Sequence, residues 1–119
     1  MNKKKLQVCS LNPKTGYLRN GFCEKDKQDF GKHLVCATMT RDFLEYTKSK
    51  GNDLYSVVDV GDKWCLCEDR WQEAFLANHA PPVVKKATHQ DIKPHIRKNI
   101  NSFMKTITNT KNKKTSKKK

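Results

Sequence analysis

Apolar residues recur at two different spacings along this chain, and the two spacings predict both helices and strands. From Ile92 to Ile107 the apolar positions follow one another every three or four residues, which is the period of one helix face. Residues 33–38 and 64–68 are short apolar segments of the kind that form buried strands. A further short segment, residues 82–88, begins at a proline, which the first residue of a strand tolerates.

Two further helices are predicted from the residues at their N-termini. Thr40 suits the N-cap of a helix near residues 41–49, because its hydroxyl can accept a hydrogen bond from the first turn. Asp69 suits the same role for a helix over residues 70–78. Together with a helix near residues 92–106, these elements predict an α+β fold in which about three helices cover a small, mainly antiparallel sheet.

Two polar segments limit this fold. In the N-terminal third, Asn20 and Gly21 stand between apolar residues and predict a two-residue hairpin turn. After Ile107 the chain holds only Thr, Asn, Ser and Lys. Residues 108–119 cannot bury enough apolar surface to offset the entropy lost on ordering. We therefore expect a disordered tail after a single domain at residues 6–107.

The positive charge of the chain is concentrated at its ends. The formal net charge is +13, yet residues 6–84 hold ten Lys or Arg against eleven Asp or Glu. Residues 85–119 hold twelve basic residues against one Asp, and residues 1–5 hold three Lys. Such Lys-rich ends predict nonspecific binding to nucleic acid through the release of counterions from phosphates. A purely solubilising role for the tail stays open as the alternative.

The sequence predicts no membrane segment, because no apolar run approaches the ~18 residues that a membrane span requires. The first residues are basic, but no apolar stretch follows them as it would in a secretory signal. These observations predict a cytoplasmic or other reducing intracellular compartment. In such a compartment cysteines more often remain thiols or bind metal than form structural disulfides.

The two tryptophans of the chain enclose a Cys-x-Cys pair, which is the strongest chemical signal in the sequence. A strand over residues 63–68 would place Trp64 and Leu66 on one face. Cys65 and Cys67 would then share the opposite face. Zinc is held in a tetrahedron by four ligands, usually thiolate or imidazole. The candidate zinc ligands are Cys9, Cys23, Cys36, Cys65, Cys67 and His89.

The same residues leave other interpretations open. Cysteines are often small buried hydrophobic residues, and this chain lacks the Cys-x-x-Cys pairs of familiar zinc sites. A thiol-dependent enzyme or redox protein is a further alternative, although no third residue that would orient a histidine base is evident. The thiol of such a protein would be Cys36, Cys65 or Cys67, and its base His33 or His89. We favour a non-catalytic module in which zinc or thiols mainly stabilise the fold.

Three stretches of the sequence carry a family resemblance. They are residues 9–21, residues 33–40 with 51–54, and residues 61–67 continuing through 80–89. The most specific pieces are Trp-Cys-Leu-Cys at 64–67 and Ala-Thr-His at 87–89. Through them, about residues 9–97 of the chain resemble a family of small, uncharacterised, mostly bacterial proteins that is classed as a domain of unknown function.

The resemblance supports a metal or thiol site but implies no particular reaction. It implies a cysteine at each of the five cysteine positions of this chain and a histidine at His33 and His89. The chain departs from the family pattern between Asp53 and Gly61, where relatives carry a longer loop with Pro and Gly, and in its Lys-rich tail.

Overall fold

The computed structural model describes residues 6–29 and 32–117, with side chains described as far as Ile107. The elements, in chain order, are β1 (Val35–Thr38), α1 (Arg41–Ser49), β2 (Lys63–Leu66), α2 (Glu68–Leu76), a 3-10 helix (Lys85–Ala87) and α3 (Pro94–Lys117). The predicted α+β class is confirmed, since three α-helices accompany a two-stranded antiparallel sheet in this part of the chain. None of its helices is long and apolar enough to cross a membrane.

The sheet has two chemically different faces. β1 and β2 pair in antiparallel register, with Cys36 opposite Cys65 and Ala37 opposite Trp64. Because side chains alternate along a strand, one face is apolar and the other carries sulfur. The core face consists of Val35, Ala37, Trp64 and Leu66, and the sulfur face of Cys36 and Cys65. The predicted separation of Trp64 and Leu66 from Cys65 is therefore confirmed.

The predicted strand over residues 82–88 is wrong, although this segment does lie along the free edge of β1. Val83 forms only an isolated bridge with Ala37, and the chain then enters the 3-10 helix. The reason is local hydrogen bonding: the Thr88 hydroxyl donates to Val84 O at 3.0 Å, and Ala87 N donates to the same carbonyl at 3.1 Å. These bonds close a turn where an extended strand was expected.

The predicted helix near residues 41–49 is confirmed, including its N-cap. The hydroxyl of Thr40 accepts a hydrogen bond from Phe43 N at 3.1 Å, which satisfies one free donor of the first turn. Thr40 lies directly before α1, as the sequence predicted.

The second helix begins two residues earlier than predicted, and its N-cap is Cys67 rather than Asp69. Asp69 does not cap, because its carboxylate pairs with Lys93 Nζ at 2.9 Å. Glu68 is the first residue of α2, and its backbone N donates to Lys32 O at 3.1 Å. As a consequence β2 ends at Leu66, and Cys67 lies at the junction of strand and helix rather than on the sulfur face.

The third helix begins at Pro94, where a proline is tolerated because a first-turn amide has no partner within the helix. Ile92, Ile96 and Ile100 are buried, so the predicted apolar face is confirmed at these positions. The helix begins two residues later than the predicted 92–106 and continues to Lys117. The disorder expected for residues 108–119 stays a prediction, because no side chain beyond Ile107 belongs to the described part.

The main core lies between the core face of the sheet and the three helices. Its centre is Trp71 on α2, which is fully buried and donates from Nε1 to Pro81 O at 3.1 Å. The Trp71 ring stacks on Phe75 at 5.2 Å and meets the edge of Phe103 on α3 at 5.8 Å. These contacts fix α2 and α3 against each other and leave the opposite face of the sheet to the cysteines.

Candidate functional site

Four of the five cysteines meet in a second buried cluster on the far side of the sheet from the aromatic core. The four-cysteine cluster consists of Cys9, Cys23, Cys36 and Cys65, packed with Ala87 of the 3-10 helix. Each of these cysteines is at most 5% exposed. Two come from facing strands and two from the N-terminal loop, so the cluster joins segments that are distant in sequence.

The sulfurs of this cluster are paired. Cys9 is bonded to Cys36 across a Cα–Cα distance of 5.7 Å, and Cys23 to Cys65 across 5.4 Å, both ordinary for a disulfide. The two bonds lie side by side, because the Sγ atoms of Cys9, Cys23 and Cys36 are all within 4.8 Å of one another. This pairing differs from the expectation of free or metal-bound thiols. Each strand cysteine has a loop cysteine within bonding reach.

Two threonine hydroxyls hold the strand cysteines at their positions. Cys36 N donates to Thr88 Oγ1 at 3.1 Å, and Cys65 N donates to Thr15 Oγ1 at 2.8 Å. Both cysteine N–H groups point away from the partner strand, where a buried donor without an acceptor would cost about 1–3 kcal/mol. Thr15 is itself fully buried. The hydroxyls thus fix the sulfur face between the N-terminal loop and the 3-10 segment.

The N-terminal loop reaches the cluster through Gly21 rather than through a hairpin. Gly21 O accepts from Cys9 N at 2.7 Å, and Gly21 N donates to Thr15 O at 2.9 Å. Its φ of 93° lies in the left-handed region, and an added Cβ would come within 2.6 Å of the Leu11 side chain. The predicted hairpin at Asn20 is wrong, since no strand flanks this turn in residues 6–29.

Two of the predicted candidate ligands lie elsewhere. Cys67 is half-buried, has no disulfide, and occupies the N-cap of α2. His89 lies along the edge of β1 that does not pair with β2. Its backbone N donates to Leu34 O at 2.9 Å, and its Nδ1 accepts from Asp91 N at 3.0 Å. Both residues are at the end of the sheet where β1 begins and β2 ends, and neither belongs to the four-cysteine cluster.

The same end of the sheet gathers several charged groups. His33 lies before β1, and its Nδ1 is 2.7 Å from the carboxylate of Asp29, whose side chain is 2% exposed. Glu68 is also buried, and its Oε1 accepts from Lys93 N at 3.0 Å. Its Oε2 has no hydrogen-bond partner among the described residues and lies 3.8 Å from Lys93 Nζ.

Lys93 is the cation of this group. The hydrogen bond to Asp69 raises the pKa of Lys93 above its ordinary value, partly opposed by desolvation. The charges of Asp69 and Glu68 contribute further in the raising direction. The Lys93 ammonium is thereby held at the start of α2.

Sequence reasoning did not identify the residues that position the cysteines and histidines. Thr15 falls within residues 9–21 and Thr88 within Ala-Thr-His at 87–89, so the family resemblance contained their positions but gave no reason for them. Asp29 and Glu68 are acidic residues in polar surroundings, which favour exposure. Their burial was therefore not predictable from local pattern.

The fold and the buried sulfurs together define a small α+β protein built around a cysteine cluster. The family described as an uncharacterized protein conserved in bacteria (DUF2237) matches residues 1–103, and the chain belongs to it. The resemblance seen in the sequence is thereby confirmed at the level of the family. A comparison with curated proteins found no match.

Proposed function

We propose that the reduced protein binds one zinc ion through Cys9, Cys23, Cys36 and Cys65, and that this zinc stabilises the fold without catalysing a reaction. The observation that carries the proposal is the convergence of four buried sulfurs from three separate segments. Four thiolates are one of the usual donor sets of a closed structural zinc site. The two disulfides are the oxidised form of the same cluster.

The distances support this assignment. Zn–S bonds of about 2.3 Å place the four sulfurs of a tetrahedral site about 3.8 Å apart. In the disulfide form the Sγ atoms of Cys9, Cys23 and Cys36 already lie within 4.8 Å of one another. Bringing these three sulfurs to tetrahedral distances therefore requires rearrangements of only an ångström or two. Cys65, whose sulfur is bonded to that of Cys23, would complete the site by side-chain rotation once the disulfide is reduced.

A structural role follows from where the cluster lies. The N-terminal loop, residues 6–29, has no helix or strand and contributes only two residues, Cys9 and Cys23, to a buried hydrophobic cluster. Cys9 and Cys23 are joined to the two strands through their sulfur atoms. A disulfide or a zinc–sulfur bond at these positions therefore takes the place of the apolar core that the loop lacks. In small proteins a bound metal supplies folding free energy in this way.

The test is a metal and thiol analysis of the full chain purified under reducing conditions. We expect one zinc per chain, one thiol that reacts with an aromatic disulfide reagent, and four thiols that react only after chelation. Cys36→Ser should lose the zinc, whereas the matched controls Cys67→Ser and His89→Ala should keep it.

Two results would contradict the proposal. One is a reduced protein that holds no zinc at micromolar zinc concentrations. The other is zinc that remains after Cys36→Ser but is lost after Cys67→Ser. A reducing compartment for the protein is part of the proposal, because thiolates bind zinc only when they are not oxidised.

A second function concerns the basic ends, which we propose to bind nucleic acid without sequence specificity. Among the described residues, Arg97, Lys98 and Lys105 are exposed on α3, on the side away from the buried isoleucines, so basic charge extends along this helix toward the Lys-rich tail. Deleting residues 108–119 should abolish salt-dependent retention on immobilised DNA, because counterion release scales with the number of phosphate contacts. Retention that survives the deletion would refute this assignment.

A further inference from the structure

The 3-10 helix lies beside α3, and this contact joins basic residues that are distant in sequence. We infer that the surface they form binds the phosphate backbone of a nucleic-acid duplex. This α3 basic surface consists of five exposed residues, Lys85, Lys86, Arg97, Lys98 and Lys105. The assignment rests on the nucleic-acid binding proposed above, and it adds folded residues and a class of nucleic acid to that binding.

Residues 83–90 run along α3 in the direction opposite to the helix. Three contacts spaced along the segment fix this arrangement. They join Val83 N to Met104 Sδ at 3.2 Å, Lys85 Nζ to Asn101 Oδ1 at 3.1 Å, and the Arg97 guanidinium to Gln90 O. Because the residue numbers rise on one side as they fall on the other, the 3-10 helix is held against the middle of α3.

The basic residues of α3 lie on the side of the helix that borders this segment. Arg97, Asn101 and Lys105 follow one another at intervals of four residues, so they line one face of the helix. Asn101 accepts the hydrogen bond from Lys85, so this face lies next to the 3-10 helix. Lys98 is one turn before Asn101 on the same side. The buried isoleucines occupy the other side of α3, which leaves the basic face open to solvent.

The backbone that carries Lys85 and Lys86 is fixed by the four-cysteine cluster. Ala87, the next residue, is fully buried and packs against the cysteines. Before the two lysines, Val84 N donates to Cys36 O at 2.7 Å. The positions of the two lysine residues are therefore set by the sheet and the cluster, whereas their side chains extend into solvent.

The N-terminal segment meets the same part of the molecule. Gln7 N donates to Lys86 O at 3.1 Å, which places the backbone of residue 7 against the 3-10 helix. Residues 3–5 of the sequence are lysines, and one residue separates Lys5 from Gln7. At the other end, the chain continues from Lys105 into the Lys-rich residues 108–119. Both basic ends of the chain are thus joined to segments that border the α3 basic surface.

Few carboxylates oppose this charge. Asp91 is the one acidic residue in positions 85–119, and its carboxylate lies 3.1 Å from Lys25 Nζ. Lys93 is excluded from the surface because it pairs with the carboxylates of Glu68 and Asp69. The five residues of the α3 basic surface therefore leave a net positive charge on this side of the molecule.

The density of this charge fits a duplex better than a single strand. Arg97 and Lys105 are eight residues apart, which is about 12 Å along a helix. A duplex presents about seven phosphates over that length, and one strand of it about half as many. Single strands are also bound by stacking their bases on aromatic rings. Phe103, the one Phe, Tyr or Trp of α3, instead packs against Trp71 at 5.8 Å.

The experiment measures the affinity of the full chain for a short duplex DNA of mixed sequence by fluorescence anisotropy, between about 50 and 200 mM salt. The slope of log K against log salt is about −0.9 for each phosphate contact. We expect Lys85→Gln/Lys98→Gln to reduce its magnitude by about 1.8, since two contacts are lost. The charge-matched control, Lys48→Gln/Lys50→Gln, removes two exposed lysines at the end of α1 and should leave the slope unchanged.

The choice of a duplex is tested with one strand of the same DNA. We expect weaker binding and a shallower salt slope for the single strand, because it offers fewer phosphates per unit length and loses only about 0.7 per contact. Thermal unfolding of each variant checks that it is folded, as substitutions of exposed side chains usually change stability by less than about 0.5 kcal/mol.

The surface assignment is overturned if Lys85→Gln/Lys98→Gln binds the duplex with the native salt slope. It is also overturned if both pairs of substitutions reduce the slope equally, because overall charge would then control binding. Tighter binding of the single strand overturns the choice of a duplex. These three results leave binding by the tail intact, whereas a full chain that does not bind DNA even at low salt refutes the proposed nucleic-acid function and this surface with it.

Discussion

The two faces of the β1–β2 sheet are built by different means, although they share the same eight residues of backbone. The core face packs against all three helices and belongs to an apolar cluster centred on Trp71 and Phe43. On the sulfur face the buried cluster consists of four cysteines and Ala87. The core face is stabilised by removing apolar area from water, at about 25 cal/mol per Å². The sulfur face is stabilised by bonds between a loop and two strands.

This difference shows how a chain with only 35% hydrophobic residues can bury both faces of a sheet. The apolar side chains suffice for one face, and the other is covered by a loop that has little apolar surface of its own. A few covalent or metal bonds take the place of many dispersion contacts. The consequence is that the two faces should respond to different perturbations, which the following predictions exploit.

The largest effect is expected from reducing the protein in the presence of a chelator, which removes both disulfides and denies the sulfurs a metal. Each disulfide encloses a loop long enough to contribute about 3–4 kcal/mol, with sequence separations of 27 and 42 residues. The loss approaches the whole stability of a small domain. Urea denaturation with and without treatment measures it. An unchanged midpoint would mean that the sulfur face adds nothing to stability.

Truncation of Trp71, the central residue of the main core, tests the core face of the sheet. Trp71→Ala removes a fully buried ring, its contacts with Phe75 and Phe103 and its hydrogen bond to Pro81 O. We expect the free energy of unfolding to fall by about 3–5 kcal/mol, as for large-to-small changes in other cores. The cysteine pairing should persist, because neither disulfide contacts this side of the sheet. Thermal unfolding and a thiol count check the two statements, and scrambled pairing in a folded variant would contradict the independence of the faces.

A smaller effect is expected from the hydrogen bond by which Thr15 of the N-terminal loop contacts the backbone of Cys65. Thr15→Val keeps the shape of a fully buried side chain but removes the acceptor for Cys65 N. An unsatisfied buried donor costs about 1–3 kcal/mol, and Thr15→Ser, which restores the oxygen, is the matched control. Amide hydrogen exchange at Cys65 should accelerate in the valine variant alone. Equal exchange in the two variants would show that packing, not the hydroxyl, matters here.

The smallest effect is expected at the N-cap of α1, two residues after the end of β1. Thr40→Ala removes the acceptor for Phe43 N at the start of α1 and should cost about 1 kcal/mol. The change should leave the reactivity of Cys67 and the pairing of the other four cysteines as they are. Chemical denaturation detects the loss of stability, and a larger loss accompanied by altered thiol reactivity would mean that α1 is coupled to the sulfur face.

Some of this fold was predictable because its causes are local. The cap at Thr40 and the four-residue spacing of Ile96 and Ile100 each act within a single helix, so they are readable from the sequence. Errors arose where a side-chain hydrogen bond or ion pair outweighed the signal read from the sequence. Asp69 does not cap α2, because Lys93 takes its carboxylate, and the strand expected after Pro82 turns instead, because a threonine hydroxyl bonds to its backbone.

By itself, the sequence determined the α+β class, the concentration of basic residues at the ends, and the presence of cysteines on the sheet face opposite Trp64. Only the tertiary structure decided which sulfurs meet, because Cys9 and Cys23 come from a loop without periodicity and approach their partners from 27 and 42 residues away. Only the structure placed Asp29 behind His33 and buried Glu68 beside Cys67. The physical reason is that burial of a charged or sulfur-bearing side chain depends on which distant segments pack over it, and no local pattern encodes that choice.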